Sequence, residues 1–182
     1  MKLSRKSFLA VMSLAAGGLV FSSVISDAGA QAARAGYKWE VHKQANVKFE
    51  IPTAWTTTTD SDDVLVTKPK DGGLAIEFVA IAHGEKEAKQ AEKAIEAEIL
   101  KRIPDAHTTE PAKPVAQNGL TGALIKGEGH KKGSKEAIEF FAVFLGDGKG
   151  HGLLSVGFAG KGQIAKHRDQ VVEIFNSIRP VK

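Results

Sequence analysis

The chain has 182 residues, a formal net charge of +4, 42% hydrophobic and 25% charged side chains, and no cysteine. That length suits one domain with a targeting segment, and the missing cysteine excludes disulfides, thiolate metal sites, a cysteine nucleophile and a lipid-carrying amino-terminal cysteine. Beyond residue 30, 22 basic side chains meet 20 acidic ones, a balance that lacks the basic footprint of a nucleic-acid binder.

Residues 1–30 read as an export signal. Lys2, Arg5 and Lys6 form a positive start, Phe8 to Ile25 is an apolar run, and Ala28-Gly29-Ala30 supplies the small residues a signal peptidase reads. Ala30-Gln31-Ala32 repeats the pattern, so the expected cut falls after Ala30 or Ala32. An uncleaved anchor is the competing reading. The run is only about 18 residues long, and Gly17-Gly18 and Ser22-Ser23 weaken its hydrophobicity. Ser4-Arg5-Lys6-Ser7-Phe8-Leu9 resembles the twin-arginine export motif, with Lys6 in place of the second arginine. The expectation is a periplasmic or secreted protein with no membrane span after cleavage.

Residues 31–36 read as a flexible lead-in, and 37–182 as a single domain. Tyr37, Trp39 and Val41 alternate with polar residues, as do Val47, Phe49 and Ile51, which predicts two strands with one face buried. Pro52 ends the second strand and Trp55 follows in a turn. Val64–Thr67 predicts a short strand. Leu74–Ala82, apolar on both faces except at Glu77, predicts a central one.

A helix is predicted over 85–102 from Ala88, Ala91, Ile95 and Ile99, with acids in its first turn, bases in its last, and Pro104 beyond. Pro111 and Pro114 confine any strand in 105–116 to an edge. Asn118-Gly119 predicts a tight turn before a strand over 120–126. Two further strands follow, over 136–145 and 152–158, joined by the glycine-rich turn 146–150. A closing helix over 163–178 places Ile164, Val171, Val172, Phe175 and Ile178 on one stripe. Strand clusters separated by helices, with hairpin turns, indicate an α+β fold with a largely antiparallel sheet.

Four segments resemble the PsbP-like superfamily, which includes DcrB-type bacterial envelope proteins. They are Phe49-Glu50-Ile51-Pro52-Thr53-Ala54-Trp55, Asn118-Gly119-Leu120, the strand Phe140 to Gly148 ending in a glycine turn, and Phe175-Asn176-Ser177-Ile178-Arg179-Pro180. The resemblance runs from about Val47 to Pro180. It implies an α-β-α sandwich with two main helices around an antiparallel sheet, and a binding or accessory role without a shared catalytic set.

Residue patterns exclude several chemistries. Gly157 to Gly162 lies between a strand and a helix, but it has neither the glycine spacing nor the Ser or Thr after lysine that a phosphate loop needs. Ser155 has Gly157 after it but Leu153 before it, so it is not a nucleophile elbow. No cofactor is implied. Weak metal candidates are the acidic loop Asp60, Asp62 and Asp63, which lacks the glycine and distal glutamate of a calcium loop, and His83 with His151, both at strand ends. Glu77 and Glu139 each interrupt an apolar strand. If they met on one face, their pKa values could be pushed apart for acid–base work.

The leading expectation is an exported, non-enzymatic binding or accessory domain that engages an envelope protein or component through a sheet edge or end loop. A divalent-metal or small-ligand binding protein is the alternative, and a carboxylate-based hydrolase the second.

Overall fold

Alternating side chains build two antiparallel sheets, seen in a computed structural model that describes residues 32–61, 64–82, 93, 96, 97 and 99–181. The smaller sheet has the order β1-β2-β11, from β1 (Tyr37–His42), β2 (Val47–Pro52) and β11 (Arg179–Pro180). The larger contains β3 (Thr56–Ser61), β4 (Val64–Lys68), β5 (Leu74–Ala82), β6 (His107–Thr108), β7 (Lys113–Gln117), β8 (Leu120–His130), β9 (Ala137–Gly146) and β10 (His151–Gly160). Its order is β3-β4-β5-β10-β9-β8-β6, with β7 also paired to β8. The chain therefore runs through β3-β4-β5, crosses to the far edge, and returns through β8-β9-β10 to lie beside β5. Every strand pairing among the described residues is antiparallel.

Each face of the large sheet carries its own apolar cluster. On one face Ile99 and Ile103 pack on Ala123, Ile125, Phe140, Ala142, Leu154 and Val156. Of the helix predicted over 85–102, residues 93, 96, 97 and 99–102 are helical; the rest of that prediction lies outside the described residues. On the other face, Phe49, Ile51 and Trp55 of the small-sheet region and Val171, Ile174 and Ile178 near the carboxyl terminus cover Ile76, Phe78, Phe141 and Leu153. The predicted α+β sandwich holds, but one outer layer combines a helix with a sheet.

The closing helix departs from expectation. It divides into α1 (Gln163–Lys166) and α2 (Arg168–Ser177) at His167, whose φ of −103° and ψ of 12° are not helical. Tertiary contacts hold this break. The buried His167 ring stands edge-on to Trp55 at 5.8 Å, with Nε2 3.2 Å from Asp71 Oδ2. The helix ends at Ser177; Ile178 is extended, and β11 then pairs with β2. Neither β11 nor β3 was expected from the sequence, because β11 is two residues long and β3 is almost wholly polar.

The Asn118-Gly119 turn forms as predicted, with φ of 49° and 80°, the left-handed pair a two-residue hairpin needs. Within β10, glycine at 157 serves packing: a Cβ there would overlap the Phe141 ring, which lies flat across it.

Candidate functional site

The described surface carries a cleft of about 530 Å³ between α2 and the adjacent strands β7, β8 and β9. Alternation along the strands creates its floor: Leu124 pairs with Val143, and Lys126 with Phe141, so these four side chains share one face. Val172 and Phe175 of α2 form the opposite wall. Phe175 meets Phe141 edge-on at 5.5 Å.

One end of the cleft is stitched shut. Gln117 Nε2 donates to Phe175 O at 2.5 Å, and Asn118 Nδ2 donates to Asn176 O at 3.0 Å and to Ile178 O at 2.8 Å. Phe175 O also accepts the backbone N–H of Ile178 at 3.1 Å, and the side-chain bonds lock the β7–β8 turn to the end of α2.

Charged residues gather at the other end. Glu128 and Glu139 stand directly opposite each other on β8 and β9, an arrangement that like charges disfavour. Lys161 Nζ lies 3.8 Å from Glu128, His107 Nε2 lies 3.7 Å from it, and Gly162 N–H donates to Glu139 at 3.0 Å. Lys126 holds Glu110 at 3.0 Å. Lys113 and Lys126 together keep the Glu110 carboxyl below its ordinary value, with Lys113 the larger cause. Arg168 lines this end, exposed to solvent and without an acidic partner among the described residues.

The structure separates the two glutamates singled out in the sequence. Glu77 pairs across β5–β10 with Val156, which pairs across β10–β9 with Ala142, so all three share the face of the 99–103 segment. Glu139 is three positions from Ala142 in the same strand and therefore points to the opposite face. Arg102 NH1 and NH2 grip Glu77 at 2.8 and 3.3 Å. A hydrolase built on this pair is excluded by geometry. Ser155 is fully buried, and its hydroxyl has no hydrogen-bond partner among the described residues.

Among the metal candidates, Asp60 lies at the exposed end of strand β3 and not in a loop. Asp62, Asp63 and His83 fall outside the described residues. His151 begins β10, and its Nδ1 lies 2.9 Å from Asp147 Oδ2. Asp147 Oδ1 also accepts from the backbone N–H of Lys149 and of His151, at 2.7 and 3.1 Å. The pair thus closes the β9–β10 turn. Among the described residues, no three His, Asp or Glu side chains come together to hold a metal ion.

The sequence did not point to the cleft. Its helical stripe assigned Val171 and Val172 alike to the core, yet neighbours on a helix lie about 100° apart. Val171 is buried, while Val172 keeps 46% of its surface exposed on the cleft wall. An over-wide stripe was the available signal.

These features define a two-faced antiparallel α+β sandwich with an apolar cleft under its last helix. No family model and no curated protein matches the sequence. Solved structures do. The cyanobacterial PsbP of Synechocystis sp. PCC 6803 superimposes with a TM-score of 0.55 at 8% identity, over 86% of this chain and 98% of that one. LpqN, involved in cell envelope biogenesis of Mycobacterium tuberculosis, gives 0.52 at 16% identity, over 73% and 82%. A protein from Bacteroides thetaiotaomicron gives 0.51 at 15% identity over 76% of this chain, which spans only 46% of that longer molecule. The fold is PsbP-like, as the sequence motifs implied.

Proposed function

We propose that this chain is an exported, non-enzymatic accessory domain that engages an envelope component through the cleft between α2 and strands β7–β9. The observation that carries this reading is the cleft itself. Among the described residues no protein layer covers Val172 and Phe175, which face an apolar floor, and the cleft's volume of about 530 Å³ falls within the few hundred to a thousand Å³ common for binding pockets. Exposed apolar surface of this kind marks interaction sites. The envelope setting is supported by the signal-like first 30 residues and by the fold shared with LpqN, which acts in envelope biogenesis. Among the described residues no helix is long and apolar enough to cross a membrane.

The reading is tested by placing a photo-crosslinking amino acid at Val172 in the full chain expressed in cells. The expected result is one dominant adduct, absent when the same group stands at the exposed position Lys132 on the β8–β9 turn. Identical adduct patterns at the two positions would remove the cleft as the working surface.

A further inference from the structure

We propose that β3 pairs with the β3 of a second copy of this chain, antiparallel about a two-fold axis at Thr58, so that two large sheets join edge to edge. The inference is independent of the cleft and concerns the opposite edge of the sheet.

The two edges of the large sheet are built differently. At one, β6 is only two residues long and β7 carries Pro114, which has no N–H to offer. Short strands and prolines are common guards against edge-to-edge pairing. At the other, β3 reads Thr56-Thr57-Thr58-Thr59-Asp60-Ser61, without proline or lysine. Threonine favours a strand. Among the described residues β3 pairs with β4 alone.

Backbone direction selects the register. Thr56 O accepts from Thr67 Oγ1 of β4 at 3.2 Å, so this carbonyl turns toward β4. Direction alternates along an antiparallel ladder. Thr58 therefore also bonds β4, while Thr57 and Thr59 present N–H and C=O to the open side. A pair centred on Thr58 sets Thr57 opposite Thr59 of the second copy, and the outward groups of both residues all meet partners. Centring on Thr57 instead brings Thr59 to Trp55, whose N–H is already given to Pro52 O. Centring on Thr59 brings Thr57 to Ser61, past the irregularity between Thr59 and Ser61.

Side chains agree with that register. Thr57 Oγ1 is buried without a hydrogen-bond partner among the described residues. Paired residues share a face, so the Thr59 hydroxyl of the second copy comes opposite it, and cross-strand threonine pairs are favourable. The central rows hold only threonine, so no like charges meet. Asp60 comes to the end of the second copy's β3 where Lys68 stands opposite Thr56. The contact is short, which makes a weak, reversible dimer. Strands β4, β5 and β10 separate β3 from β9 and β8, so the cleft of each copy stays open.

The chain has no cysteine, so single introduced thiols report the pairing in the full chain expressed in cells and purified. Under mild oxidation Thr58→Cys should form a disulfide-linked dimer roughly tenfold faster than Lys132→Cys on the β8–β9 turn, because pairing raises the effective thiol concentration. Thr57→Cys and Thr59→Cys should each dimerise slowly alone and quickly when mixed. In sedimentation the mass of the wild type should rise with concentration. Thr58→Lys sets two ammonium groups opposite each other and should stay monomeric, while an equal mixture of Thr58→Lys and Thr58→Glu should recover a dimer. Thr58 is exposed, so both variants should fold.

A Thr58→Cys rate equal to that of Lys132→Cys would overturn the proposal, as would a wild-type chain that stays monomeric up to millimolar concentration. Dimerisation of Thr57→Cys alone as fast as that of Thr58→Cys would overturn the two-fold register. A dimer that Thr58→Lys leaves intact would place the contact elsewhere.

Discussion

Arg34 holds the buried carboxylate of Glu50 from two directions: its backbone N–H donates to Oε1 at 2.9 Å, and its side-chain Nε donates to Oε2 at 2.5 Å. The guanidinium also lies over the Tyr37 ring at 4.3 Å and reaches Glu173 at 3.5 Å. Arg34 falls within the stretch that the sequence presented as a lead-in, and a cut after either Ala30 or Ala32 keeps it in the mature chain. The backbone N–H of Glu50 in turn donates to Ser177 Oγ, at the end of α2, at 2.8 Å. The segment before β1 is thereby tied to the sheet beside the last helix.

The first prediction follows from this contact. Arg34→Ala leaves a carboxylate with only 5% side-chain exposure without its charged partner. A hydrogen bond to a charged group contributes about 1.5–3 kcal/mol, so a loss of roughly 2 kcal/mol is expected in urea denaturation. The double variant Arg34→Ala with Glu50→Gln should recover part of it, because the uncompensated charge is gone. Equal stability of Arg34→Ala and the wild type would show that water already serves Glu50.

A second prediction concerns acid. Asp71, in the β4–β5 turn, lies 2.5 Å from Lys166 Nζ and accepts from Gly73 N–H at 3.2 Å. The Lys166 contact first, then the Gly73 N–H, lower its pKa from 3.8 to about 2. A folded-state pKa below the unfolded one gives stability that is present above about pH 4 and lost as the pH falls towards 2. Asp71→Asn should therefore flatten the pH dependence of stability between those limits. An unchanged acid limb in the variant would contradict the assignment.

Gly157 provides a third. Alanine there would press its Cβ into the Phe141 ring, and overpacking of this kind costs about 1–3 kcal/mol. Because Phe141 also forms the cleft floor, Gly157→Ala should change the adduct yield of the crosslinker at Val172 as well as stability. A loss of stability with an unchanged adduct would separate the floor from the core beneath it.

Ser155 provides the fourth. Its hydroxyl is fully buried in β10 without a partner among the described residues, and burying an unbonded hydroxyl costs about 1–3 kcal/mol by mutational measures. Ser155→Ala should be neutral or more stable by up to about 1 kcal/mol. Marked destabilisation would mean that the hydroxyl is bonded in solution.

Much of the architecture was legible in the residue pattern. Period-two alternation located β1, β2 and β9, and runs bounded by turns located β5, β8 and β10, each to within a few residues, because each of these strands buries one or both faces. Asn118-Gly119 fixed a turn through backbone preference alone. The break at His167 was not legible, since nothing between Gln163 and Ser177 disfavours a continuous helix locally. Asp71, almost a hundred positions away, holds the ring that interrupts it. Strand β3 was hidden because Thr56–Ser61 has no apolar face and is recruited as an edge by β4. Glu77 and Glu139 looked equivalent as single polar residues in apolar strands, and only strand register reveals that they face opposite ways.

By itself the sequence determined the α+β class, the positions of most strands and turns, and the absence of thiol chemistry, all of which depend on side-chain type and spacing within short segments. The tertiary structure decided which exposed valine borders the cleft, which arginine has no acidic partner among the described residues, and which glutamate partners which base. Those outcomes depend on contacts between residues distant in the chain, and local periodicity carries no information about them.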